Sequence, residues 1–281
     1  MGATWGIFAI GSAPAIALTG MAGALAGLFC TRVADCYAVR LLLHGDTPDA
    51  AALRTALAMA CYAAQPAPVR AAYDRAGAAA GICATPVPAM RGESRYAATL
   101  RRAVPAAVLA GGFMALYQVQ GCSPYTALAA LAGFIVMLLS LIDMRTGLLP
   151  DALTLPLLGL GLVAAGLADG GHHWAALTGD AAAGAVLGWV CPWLLMLIFK
   201  RVRGRDGMGG GDLKLLAALG AWLGWQGLPA ALLLACVAGL LWAMWAQRSL
   251  LPTGSYPFGP FLAAGGAYVF LAGSGLHWHY F

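Results

Sequence analysis

Charged residues are scarce in this chain. Asp, Glu, Lys and Arg make up 10% of its 281 residues, whereas soluble domains carry about 25%. The hydrophobic share is 61%, the mean hydropathy is +0.79, and many apolar runs approach the length that crosses a bilayer. This composition excludes an ordinary soluble domain and predicts a protein with several transmembrane helices.

Paired cysteines are also lacking. The chain has seven cysteines, and no two of them form a C-x-x-C pair. The sequence therefore predicts neither a zinc knuckle nor a disulfide framework. A cleaved signal peptide is not indicated either, because the first apolar run has no basic segment before it. We expect residues 1–29 to remain in the protein as a helix.

Cations are missing from one side of the predicted bundle. After the first helix, apolar runs occupy residues 103–120, 124–142, 153–169, 176–199, 213–226, 229–247 and 258–276. All 16 Lys and Arg residues fall in the segments that lie on one side when these runs cross the membrane in turn. By the positive-inside rule this side is cytoplasmic, and both termini are periplasmic.

The fold predicted from these patterns is an all-α polytopic membrane protein with about eight transmembrane helices. We expect three parts: a first transmembrane helix at 1–30, a small cytoplasmic domain at 31–102, and a seven-helix membrane core at 103–281. The middle part is predicted to lie outside the membrane because charges and prolines interrupt its alanine-rich sequence.

Two aspartates stand where membrane helices are predicted to begin or end. Asp143 closes the third apolar run, and Asp212 opens the sixth, after a glycine-rich stretch. An aspartate at the centre of a membrane helix costs roughly 2.5–3.5 kcal/mol, and less near the ends, so a function is expected to compensate. Two carboxylates in one desolvated site share a proton, which leaves an acid beside a base. This chemistry fits an aspartic protease or the proton path of a transporter.

The local sequences separate these alternatives. Gly209 to Asp212 is a G-x-G-D motif within the stretch 207–225, and it is accompanied by the stretches 142–156 and 257–263. Together these resemble the type IV prepilin peptidases, which are intramembrane aspartic proteases. The resemblance extends from about Arg95 to the C-terminus, and its three motifs occur in the family's order on one predicted face.

The resemblance implies an enzyme of the bacterial inner membrane. It would cleave the short basic leader of type IV prepilins or pseudopilins, after a glycine, at the cytoplasmic face. The family's catalytic aspartates fall on Asp143 and Asp212. Gly209, Gly211, Lys214 and Asp151 match positions of the supporting active-site loop, although Asp151 also fits a simple acid near a helix N-terminus. Pro257 to Pro260 is expected to shape the start of the last helix, without a direct catalytic part.

The resemblance also sets expectations for cofactors and partners. Proteolysis would need no cofactor, and S-adenosylmethionine would be used only if the chain also methylates the new N-terminus. Most family members bind zinc through two C-x-x-C pairs, which are missing here, so no metal site is expected. The expected partners are a prepilin or pseudopilin, membrane lipid, and the pilus or type II secretion machinery, and no nucleic acid.

Two alternatives stay open at this stage. The chain could be a peptidase without methyltransferase activity. Outside the family's chemistry, it could be a transporter or pilus-assembly protein that uses the same fold and employs the aspartates as a proton path.

Overall fold

The computed structural model describes residues 13–44, 53, 56, 57, 95–167, 174–204, 209–248 and 256–276. Within these ranges the regular structure is entirely helical. The helices are α1 (Ala13–His44), α2 (Arg95–Gln120), α3 (Pro124–Thr146), α4 (Asp151–Leu167), α5 (Trp174–Arg203), α6 (Gly210–Gln247) and α7 (Gly259–Leu276).

The helices match the lengths and compositions of membrane spans. Among the described residues, 5 helices are long and apolar enough to cross a bilayer, and α4 and α7 are shorter apolar helices. Leu, Val and Trp side chains on the outer faces of α5 and α6 are exposed, as expected for surfaces that face lipid. The prediction of an all-α polytopic membrane protein is confirmed.

Helix α6 reverses direction at Gly224, where the backbone has φ 67 and ψ 177. Contacts with α7 show the reversal. Before Gly224, α6 runs parallel to α7, since Leu219 contacts Gly266 and Trp222 contacts Phe270 further along both helices. After Gly224 it runs antiparallel to α7, since Gly227 contacts Val269 and the later Gly239 contacts the earlier Phe261. The sixth and seventh apolar runs are therefore two antiparallel arms. Glycine suits this turn because a positive φ costs it little.

Glycines allow two helix pairs to approach backbone to backbone. A Cβ atom on Gly27 of α1 would lie 2.5 Å from the carbonyl oxygen of Pro105 in α2. A Cβ on Gly184 of α5 would overlap the carbonyl oxygen of Gly220 in α6, and the reverse also holds. Small residues at such crossings are the usual way in which membrane helices pack, since lipid provides little hydrophobic drive.

Helix α1 is joined to the rest of the bundle by a buried apolar cluster. Val33 and Tyr37 of α1 pack with Leu138 and Ile142 of α3, all at most 1% exposed. The helix continues past residue 30 to His44, so the start of the predicted cytoplasmic segment is helical. Most of that segment, and both chain termini, lie outside the described residues, and the division into three parts stays a prediction.

The close crossing of α5 and α6 yields a testable expectation. Gly184→Ala should destabilise the protein by about 1–3 kcal/mol, because the new methyl group meets backbone that cannot rotate away. The measurement is the thermal unfolding midpoint in detergent. Gly179→Ala, on the same helix with nothing within 4 Å of its added Cβ, is the matched control. Equal midpoints for the two variants would contradict the packing described here.

Candidate active site

Asp143 lies in the last turn of α3, and 5% of it is exposed. Its Oδ2 atom accepts a hydrogen bond of 2.9 Å from the backbone N–H of Gly259, the first residue of α7. That N–H has no partner inside its own helix, because the first turn of any helix leaves its donors free. The buried carboxylate is thus matched by a donor that α7 leaves unused.

The dipoles of two helices act on the charge of Asp143 in opposite senses. At the C-terminus of α3 the helix dipole disfavours an acid, whereas at the N-terminus of α7 it favours one. A Cβ atom on Gly259 would lie 2.7 Å from Asp143 Oδ2. Glycine at this position therefore lets the backbone of α7 reach the carboxylate directly.

Asp212 is the third residue of α6, where Gly209 is the N-cap with φ −72 and ψ 143. Its carboxylate turns back and accepts a hydrogen bond from the backbone of Gly209. This is the half of a capping box in which an acid at the third position satisfies the N-cap N–H. A glycine N-cap offers no side chain of its own, so Asp212 provides the cap for its helix.

The structure brings Asp143 and Asp212 together. The charge of Asp143 is close enough to act directly on the carboxylate of Asp212. The loop after α3 also packs on the start of α6, since a Cβ on Gly211 would lie 2.8 Å from the Cβ of Leu149. Glycine at 211 therefore lets the two segments that carry the aspartates meet.

Lys214 and Asp151 form an ion pair beside the two aspartates. Lys214 Nζ lies 2.6 Å from Oδ1 and 2.7 Å from Oδ2 of Asp151. The side chains are 41% and 55% exposed, so water reaches the pair. It ties the N-terminus of α4 to the first turns of α6.

All six residues predicted for the site lie at one end of the bundle. These are Asp143, Asp151, Gly209, Gly211, Asp212 and Lys214. Asp206, a further acid of the glycine-rich stretch, lies outside the described residues. Among the residues that the structure describes, no group of three or more His, Cys, Asp or Glu could hold a metal ion.

Gly259 was missed by the sequence reasoning, which gave Pro257 to Pro260 a shaping part only. Its N–H contacts Asp143 across 116 positions of sequence. A local signal was present in the sequence, because Gly259 precedes a proline at the expected start of a helix. The N–H of such a residue has no partner in its own helix, and glycine has no side chain that would block access to it.

The fold and the site together define a helical membrane protein with two neighbouring carboxylates held at helix N-termini. Comparison with known proteins identifies a family that resembles this chain. Residues 129–244 match the type IV leader peptidase family. This segment contains both aspartates, Asp151 and Lys214, so the resemblance inferred from the motifs is confirmed. The apolar helices and this match together indicate an integral protein of the inner membrane.

Several similar proteins carry the name prepilin leader peptidase/N-methyltransferase. One from Burkholderia pseudomallei (strain K96243) is 43% identical over 201 residues, which cover 66% of this chain and 60% of that protein. One from Aeromonas salmonicida (strain A449) is 43% identical over 153 residues, covering 54% of this chain and 51% of the relative. One from Pseudomonas aeruginosa is 44% identical over 142 residues, covering 49% and 47%.

The match is partial in both directions. The chain spans 60% of the length of the Burkholderia protein and about half of the other two, at 51% and 47%. No solved structure gives a significant match to it.

The exposure of the Lys214–Asp151 pair predicts that it adds little to stability. Exposed ion pairs contribute about 0.2–1 kcal/mol, because water already solvates both charges. A double-mutant cycle of Lys214→Gln and Asp151→Asn, based on the free energy of unfolding in detergent, should give a coupling free energy within that range. Arg201→Gln, at an exposed cation near the end of α5, is the control. A coupling above about 2 kcal/mol would show that the pair is shielded from water.

Proposed function

We propose that this chain is an intramembrane aspartic peptidase that removes the leader of type IV prepilins or pseudopilins. The observation that carries the proposal is the buried carboxylate of Asp143, held by the N-terminus of α7, with Asp212 within electrostatic reach. The family match over both residues and the names of the relatives support the substrate class.

In the proposed reaction, Asp143 and Asp212 share one proton. The ionised carboxylate takes a proton from water as the water oxygen bonds to the carbonyl carbon of the scissile peptide. The protonated carboxyl gives its proton to the carbonyl oxygen. As the C–N bond of the tetrahedral intermediate breaks, the carboxyl that took the proton from water gives it to the leaving nitrogen. A hydroxyl group of the intermediate returns a proton to the other carboxylate as the new carboxyl C=O forms, so the pair again shares one proton.

Backbone N–H groups carry out the orientation that this reaction needs. The N–H of Gly259 holds Asp143, and the backbone of Gly209 holds Asp212, so each carboxylate has a backbone donor that fixes one of its oxygens. Preorganised dipoles of this kind cost no rearrangement during the reaction. Lys214 and Asp151 support the site by joining the N-terminus of α4 to the helix that bears Asp212.

We place the site at the cytoplasmic face of the bacterial inner membrane, with both termini periplasmic. The support is the distribution of cations. Arg101, Arg145, Lys214 and Arg248 all lie near helix ends on the side of the two aspartates, and the reversal at Gly224 is what returns Arg248 to that side. Positive charge at one face is typical of a cytoplasmic surface.

The distribution of acids argues against a proton path. The structure describes five acidic residues, and Asp35, Asp143, Asp151 and Asp212 lie at the site end. The fifth, Asp180, lies by the turn at the opposite end and accepts a hydrogen bond of 3.3 Å from Trp225. No row of carboxylates therefore crosses the described helices, whereas proton relays are built from such rows.

Methylation of the new N-terminus is a second activity in the names of the relatives. It would use S-adenosylmethionine, which supplies the methyl group. We propose that peptidase activity is the main activity of this chain. Its proposed partners are components of the pilus or secretion machinery, and it is surrounded by membrane lipid. We propose no zinc site, because the sequence has no C-x-x-C pair.

Replacement of either aspartate tests the peptidase directly. Asp143→Asn and Asp212→Asn keep the shape of the side chain but remove the ionisable group, and each should lower leader cleavage by at least about 100-fold. Membranes containing a variant are mixed with a prepilin, and the shortened product is followed by gel mobility. Asp180→Asn, at the opposite end of the bundle, should cleave like the parent chain. Full cleavage by both site variants would refute the proposal.

Mass spectrometry of the mature pilin separates the two activities. A peptidase that only cleaves yields an unmodified N-terminus. We expect this result because the chain has no C-x-x-C pair, whereas two such pairs are expected in most members of the family that it resembles. A mass gain of one methyl group after co-expression, lost in an Asp143→Asn strain because no new N-terminus forms, would show that methylation is retained.

A further inference from the structure

Arg145 connects the helix that carries Asp143 to the first helix of the chain. It lies two residues after Asp143 in the last turn of α3. Its Nη2 atom lies 3.1 Å from Oδ1 of Asp35 on α1, and its Nη1 atom donates a hydrogen bond of 3.1 Å to the carbonyl oxygen of Thr31. The side chains of Arg145 and Asp35 are only 11% and 19% exposed.

The guanidinium contacts two successive turns of α1. Thr31 and Asp35 are four residues apart, so they lie on one face of that helix, one turn above the other. A planar guanidinium can donate a hydrogen bond to the Thr31 carbonyl while its charge faces the Asp35 carboxylate, whereas an ammonium group acts as a single point charge. The contact therefore restrains both the rotation and the height of α3 against α1.

Asp143 and Arg145 point to different sides of α3. Residues two positions apart on a helix are separated by about 200° around its axis. Asp143 reaches α7 through Gly259, while Arg145 reaches α1. The last turn of α3 is thus held between two helices, and a rotation that released Arg145 would also move the carboxylate of Asp143.

We propose that Asp35 and Arg145 are positioning residues that set the orientation of Asp143. The inference rests on the proposed function, because it assumes that Asp143 reacts. Asp35 lies outside residues 129–244, the part matched by the family model, so α1 contributes to the reactive geometry from beyond the matched segment. Arg101 of α2, 3.8 Å from Asp35 Oδ1, adds a second positive charge beside the same carboxylate.

The test compares turnover with substrate affinity in membranes that hold the full chain. Arg145→Met and Asp35→Asn should lower kcat for leader cleavage by about 10- to 100-fold, since a displacement of about 1 Å at a reacting group costs about 100-fold. KM should stay within about twofold, because neither residue is placed to contact substrate. Arg145→Lys keeps the charge but loses one of the two contacts, so its kcat should lie between that of Arg145→Met and that of the parent chain.

A double variant separates positioning from simple folding. Asp35→Asn with Arg145→Gln removes both charges of the pair at once, and Arg101, whose side chain is 27% exposed, remains in contact with water. This variant should therefore fold and still show the low kcat. Arg102→Met, at an exposed cation on α2, is the matched control and should keep both kinetic constants.

The outcomes are distinct. A parent-like kcat in the uncharged double variant would overturn the positioning role. Loss of thermal stability in proportion to loss of kcat across the series would also overturn it, because the pair would then act on folding alone. Cleavage by Asp143→Asn would instead overturn the proposed function, whatever the pair does.

Discussion

A carboxylate buried among apolar helices needs a donor, and in this protein the backbone provides it. The N–H of Gly259 bonds Asp143 at 2.9 Å, and the backbone of Gly209 bonds Asp212. An unmatched buried charge would cost several kcal/mol. Both donors come from helix N-termini, whose first N–H groups are unused and whose dipole favours negative charge. The ends of α6 and α7 must therefore meet the end of α3.

The contact between these helix ends depends on how the helices are arranged in the rest of the bundle. The reversal at Gly224 lets the second arm of α6 return toward the site end, so that α7 begins there. Close glycine contacts such as Gly184 with Gly220 then hold α5 against the first arm. On the other side, the buried cluster around Tyr37 and Ile142 attaches α1 to α3, and the ion pair of Arg145 and Asp35 lies at its edge. The site is thus bounded by helices from most of the described chain.

The aspartates, their glycines and Lys214 could be predicted because each sits in a short local pattern. A charge at the end of an apolar run is visible without any knowledge of packing, and so is a glycine run before a helix. Gly259 and the partner of Arg145 could not be predicted in this way. Asp35 looks like an ordinary acid beside the membrane, and only the contact with α3 gives it a different meaning.

Hydrophobic runs were enough to predict the helical membrane class, which the structure confirms. Cation placement and motif order were enough to propose the sidedness and the pair of catalytic aspartates. These properties follow from transfer energies and local spacing, which each segment expresses independently of the others. The packing decided which helix end faces Asp143, where α6 turns, and that α1 reaches α3. Those features join residues 116 and 114 positions apart, and contacts over such separations depend on the shapes of whole helices.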